Sequence, residues 1–105
     1  MTEKINELDT QIARWKKLHG EVYAISVNDD EGIERTAYFK KPDLKAISAA
    51  SKFAQEDPIK SGLVMFDACL LGGDDEFNKN DEFKLAAIVG IGKISKVREE
   101  TIKKL

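Results

Sequence analysis

Cys69 and His19 are the sole thiol and the sole imidazole in the chain. Brought together, they would make a nucleophile and its base. Cys69, however, falls in the most apolar stretch, Leu63 to Leu71, where a thiol is inert and its pKa is raised. His19 precedes Gly20 at the end of a helical pattern and is better explained as a cap of that helix. A zinc site usually takes three or four nitrogen or sulfur ligands, more than this composition offers. The acidic run from Asp74 invites a calcium reading, which requires glycine at the sixth loop position and glutamate at the twelfth. Counting from Asp74 puts Lys79 and Leu85 there, and counting from Glu76 puts Asp81 and Ala87, so both frames fail. Gly90-Ile91-Gly92-Lys93-Ile94-Ser95 has the look of a dinucleotide fingerprint. That motif needs about 30 residues of βαβ and an acidic residue about 20 further on, whereas Leu105 follows ten residues after Ser95. The expectation is no catalytic residue, no metal and no cofactor, in a chain that is not an enzyme.

Tyr38, Phe39, Lys40 and Lys41 combine rings with cations, the chemistry of single-strand nucleic-acid binding. Phe39 alternates onto the face of Ala37 and is expected in the core. The net charge is −2, with a pI near 5.5, and residues 56 to 82 are strongly acidic, so phosphates are repelled. No nucleic-acid partner is expected.

These residues are positioned by a β-hairpin over Glu21 to Pro42, around which the remaining elements are helical. Tyr23, Ile25 and Val27 alternate with Ala24 and Ser26, and Ala37 and Phe39 alternate with Thr36 and Tyr38. Asn28 to Gly32 supplies the turn. A lone two-stranded ribbon is marginal in water, so helices must cover one of its faces. A first helix over residues 2 to 18 carries Ile5, Leu8, Ile12 and Trp15 at steps of three and four, a narrow apolar stripe. Facing the core is the ordinary role of such a stripe, and a partner helix is the alternative. A small-residue helix from about Asp43 to Gln55 suits close approach to the ribbon. Asp57 caps, and Pro58 starts, a third helix running to about Leu71, apolar on nearly every side except at Asp67 and so expected at the centre of the core. Gly72-Gly73 ends it, the polar run 74 to 80 reads as a surface loop, and Asn80 or Asp81 caps a final helix to the C-terminus. Gly90 and Gly92 each weaken that helix by about 1 kcal/mol relative to alanine, which predicts a kink.

The 105 residues suit one domain spanning 1 to 105, with 93 to 105 as a looser C-terminal helix. A single cysteine favours a reducing compartment. With no charged-then-apolar leader and no apolar run near 18 residues, the expectation is a cytoplasmic protein without a membrane partner. The fold expected is α+β, an antiparallel hairpin packed by about four amphipathic helices in the order α-β-β-α-α-α. Its core should hold Tyr23, Ile25, Phe39, Leu63, Phe66 and Leu70. Ile5, Leu8, Ile12 and Trp15, together with Ile94, Val97, Ile102 and Leu105 of the tail, are the candidate partner-binding residues. No feature of the sequence sets an oligomeric state.

Three stretches in order carry a resemblance: LHGEVYAISV with a paired strand ending in AYFKKPD, a small-residue helix ending in EDPIK, and CLLGGDDE followed by a helical tail closing in IKKL. Over roughly residues 15 to 105 the chain resembles the small tail assembly chaperones of tailed bacteriophages and prophages. Lys41-Pro42-Asp43 and Leu71-Gly72-Gly73-Asp74 are the most specific pieces. The resemblance implies a non-enzymatic protein in a bacterial cytoplasm. Such a protein binds apolar helical segments of the tape measure protein and keeps them soluble until tail-tube subunits polymerise around them. The first-helix stripe and the tail would be its contact surfaces. The alternative is a small regulatory or inhibitory protein-binding module of a mobile element.

Overall fold

A computed structural model describes residues 2–95 and 100–105, with side chains from residue 7 onward. The elements are α1 (Thr2–His19), β1 (Val22–Asn28), β2 (Glu34–Lys40), α2 (Leu44–Ser51), α3 (Pro58–Cys69), β3 (Leu70–Gly73), α4 (Glu76–Lys79) and α5 (Asp81–Ile94). The architecture is α+β, with the sequence order α-β-β-α-α-α completed by a short third strand and one short extra helix.

Each element begins and ends where its side chains satisfy the backbone. The left-handed Gly20 (φ 83°) donates its N–H to Lys16 O at 2.9 Å and closes α1. In the hairpin, Asp29 N–H meets Ile33 O at 2.9 Å across a loop ending in the left-handed Gly32 (φ 80°). Asp43 caps α2 by accepting from Ala46 N–H, Asp57 caps α3 by accepting from Lys60 N–H, and Asn80 caps α5 by accepting from Glu82 and Phe83 N–H.

The strands form one antiparallel sheet in the order β1-β2-β3. β1 and β2 pair without a break from Val22↔Lys40 to Asn28↔Glu34. β3 pairs with the other side of β2, with a shift of register between Tyr38 and Phe39. Leu70 to Gly73 was expected to finish the third helix and stop it. Instead, Leu70 turns extended (ψ 125°) and the segment becomes the third strand. Gly73 explains the strand's end: at φ 118° it presses so close to β2 that a Cβ would stand 2.6 Å from the Ala37 Cα.

The core lies between this sheet and the helices α3, α4 and α5. Phe39, Phe66, Cys69, Phe77 and Ile91 are fully buried, with Ala37, Phe83 and Ala87 beside them. The rings of Phe66, Phe39, Phe77 and Phe83 make a chain of edge-on contacts, with centroids 5.7, 6.5 and 5.3 Å apart in turn. Of the six residues expected there, Phe39 and Phe66 are fully buried, Ile25 and Leu70 are half-buried against the cluster, and Tyr23 and Leu63 are half-buried outside it. Phe77 was missed because it sits in a polar run. There α4 forms and turns the ring inward, with Asp74 Oδ1 accepting from Glu76 N–H at 2.9 Å.

Three further expectations are corrected. The small-residue helix α2 packs chiefly on α3 rather than on the ribbon, with Ser61 Oγ donating to Ala50 O at 2.7 Å. α5 continues as a helix through Gly90 and Gly92. At Gly90 a Cβ would stand 2.9 Å from Ile25 Cδ1, so α5 lies close on the sheet there. The helix stops at Ile94, and residues 100–105 lie in no helix or strand, in place of a final helix to the C-terminus. Residues 96–99, and Val97 with them, lie outside the described residues.

Candidate protein-binding surface

Tyr38 and Thr36 point away from the core, on the sheet face opposite to Ala37 and Phe39. That second face is where α1 lies, whereas helices had been expected on one face alone. Trp15 sits over Tyr38, with ring centroids 5.7 Å apart and planes tilted by 36°. It also covers Gly72 of β3, where an added Cβ would stand 3.0 Å from the Trp15 ring. A side chain at position 72 would press on the indole, which would have to give by a few tenths of an ångström.

Trp15 and Ile12 are half-buried, but Leu8 is 41% exposed and its neighbours from Glu7 to Gln11 are exposed. The side chain of Ile5 lies outside the described residues. An 18-residue helix is about 27 Å long, and its stripe is seated on the sheet at Trp15 and open at Leu8. A groove of about 400 Å³ runs beside it, with Leu8, Trp15, Tyr38, Leu71, Gly72 and Gly73 in its walls. It is shallow, and Glu7 and Gln11 line it together with the apolar residues. The molecule measures 61 × 31 × 20 Å with a radius of gyration of 16.0 Å, against about 13 Å for a compact domain of this length.

The tail does not form the second stripe. Ile94 ends α5 half-buried, and Ile102 and Leu105 are fully exposed on an irregular segment, so no helical face joins them. Other exposed apolar residues went unnoticed in the sequence: Leu44 and Ile47 on α2, Ile59 on α3, and Leu85 and Val89 on α5. The signal was present in the run Leu85 to Val89. It is apolar on every side, although Phe83, Ala87, Ile88 and Ile91 meet the core while Leu85 and Val89 face away from it.

Asp29, Asp74 and Asp75 are engaged in local structure. Asp29 Oδ1 accepts from the N–H groups of Glu31 and Ile33, both at 2.9 Å, and its Oδ2 takes Arg35 Nε at 3.2 Å. Arg35 reaches on to Asp74 at 3.3 Å, tying the hairpin turn to the start of the α4 segment. Asp75 holds Lys79 at 3.1 Å. The Ile33 N–H, with Arg35 and Glu31 N–H adding, holds the Asp29 carboxyl below the usual carboxylate range. Hydrogen bonds from Lys79 and Asn78 do the same for Asp75. Among the described residues, no group of three or more His, Cys, Asp and Glu side chains is placed to hold a metal ion. Burial pushes the Cys69 thiol up, and His19 is exposed at the end of α1. Gly90 and Gly92 lie inside α5 rather than at a strand-to-helix turn, so they cannot cradle a pyrophosphate. Among the described residues, no helix is long and apolar enough to cross a membrane.

No protein-family model and no curated protein matches the chain. A solved structure does, that of the uncharacterised protein rbstp2171 from Bacillus stearothermophilus. The two agree with a TM-score of 0.61 at 19% identity, over 88% of this chain and 98% of that one. At that identity, what the two proteins share is the α+β fold described above.

Proposed function

We propose that this protein is a tail assembly chaperone of a tailed bacteriophage or prophage, holding an apolar helical segment of the tape measure protein during tail assembly. The observation that carries the reading is the half-seated stripe of α1, with Leu8 exposed above the groove walled by Trp15, Tyr38 and Leu71. An amphipathic helix lays its apolar face into such a groove and reads it through residues three and four apart. The resemblance of residues 15 to 105 to that family supports the choice of partner.

Co-expression with the tape measure protein of the same phage or prophage tests this. The tape measure protein should stay soluble and co-purify with the wild type, and Leu8→Asp should lose it while melting at an unchanged temperature. Undiminished co-purification by Leu8→Asp would remove the stripe from the contact. A partner other than a tape measure or tail-tube protein would favour the regulatory-module alternative.

A further inference from the structure

The two edges of the sheet differ. β3 is short, ends in Gly72-Gly73 and has a shifted register, all devices that blunt an edge. β1 has none of them. Its seven residues, Val22 to Asn28, contain no charge and no proline and pair with β2 in unbroken register. Antiparallel hydrogen bonding alternates along a strand. Asp29 N–H bonds to Ile33 O, which fixes the phase. Tyr23, Ile25 and Val27 therefore turn their backbone groups to β2, and Val22, Ala24, Ser26 and Asn28 turn theirs outward. Ala24, Ser26 and Asn28 are exposed.

The geometry points to a second copy of this chain as the occupant of that edge, with β1 pairing antiparallel to its own copy about Ile25 so that two three-stranded sheets become one of six strands. The register is self-complementary, as a twofold interface requires. Ala24 meets Ser26 of the copy, and Tyr23 meets Val27, an aromatic and β-branched pair. Glu21 comes opposite Asp29, a like-charge pair at the ends of the seam that Arg35, shared between Asp29 at 3.2 Å and Asp74 at 3.3 Å, offsets in part.

The helical layer adds an independent match. α5 packs over β1, through Gly90 against Ile25, and α3 flanks it where Gly62 meets Ile88. By helical periodicity, the side of α5 away from α3 carries Glu82, Ala86, Val89 and Lys93, four and three residues apart. Val89 is 60% exposed. The same twofold axis sets α5 antiparallel beside its copy, so that Glu82 meets Lys93 at each end and Ala86 meets Val89 between them. Charge and apolar surface on this stripe thus both complement themselves.

Sedimentation equilibrium on the full-length protein tests the pairing. The wild type should sediment at twice its 11.7 kDa mass. Ala24→Pro removes an outward N–H without touching the bonds to β2, and Ala24→Lys puts a charge on the edge. Each should give a monomer with an unchanged far-UV spectrum. Should the proline variant unfold, the lysine variant decides. Lys93→Glu should weaken the dimer at least about tenfold, and adding Glu82→Lys should restore it. A wild type that stays monomeric at every concentration would overturn the inference. So would a folded Ala24→Lys dimer as tight as the wild type.

Discussion

Asp29 holds the hairpin turn through five interactions: its carboxylate accepts from the N–H groups of Glu31 and Ile33 and from Arg35 Nε, its carbonyl accepts from Gly32 N–H, and its own N–H donates to Ile33 O. Its folded-state pKa lies below its unfolded one, led by the bond from Ile33. As the pH falls, the unfolded chain therefore takes up the proton first, and the stabilisation present at neutral pH is lost from about pH 4 downward. Asp43, held low by the Ala46 N–H and Lys40, and Asp75 act in the same direction. Urea midpoints should fall on going from neutral pH into this acid range, and Asp29→Asn should fall less steeply. Parallel slopes would show that the turn carboxylate does not contribute. In the core, Phe77 links Phe39 to Phe83 and is wholly buried. Phe77→Ala should cost about 3–5 kcal/mol in urea unfolding. A loss below about 1 kcal/mol would place α4 outside the cooperative core.

At the scale of elements, stability should grade from centre to ends. Residues 100–105 lie in no helix or strand and are exposed, and α1 is open from Gln11 back to Glu7, whereas Phe66 and Cys69 are buried in the middle of the fold. Segments with few buried contacts open at low free energy. Amides 100–104 should therefore exchange hydrogen fastest, those of 7–11 next, and those of 64–70 slowest. Equal protection across the three would mean that the ends are sealed by contacts the fold does not contain. The same gradation separates what the sequence disclosed from what it hid. The hairpin and helices α1, α2 and α3 were legible because periodicity, caps and turn residues act within a few neighbours: Asp43, Asp57 and Gly20 each mark a boundary by their own chemistry. β3 was not, because Leu70-Leu71 is helix-compatible alone and becomes a strand only by pairing with Phe39 and Tyr38, far away in sequence. Gly72, Gly73 and Gly90 looked like punctuation, yet their places are set by Trp15, Ala37 and Ile25 across the structure.

The whole molecule has two layers of helices on a small sheet, unequal in extent. One side is the closed core of aromatic rings, and the other is covered by α1 through Trp15 and the half-buried Ile12, with Leu8 exposed. Of the residues proposed for a partner, Leu8, Ile12 and Trp15 share this surface, whereas Ile94, Ile102 and Leu105 do not join it. The proposed partner site rests on the heptad-like spacing of α1, which the sequence shows. The groove that completes it, walled by Tyr38, Leu71 and Gly72, depends on the unforeseen third strand. Amide and indole chemical shifts of the labelled protein, titrated with a peptide copied from an apolar helical segment of the tape measure protein, test the central claim most directly. Saturable shifts should centre on Leu8, Ile12, the Trp15 indole and Gly72. Shifts confined to Leu85 and Val89, or none at peptide saturation, would contradict it.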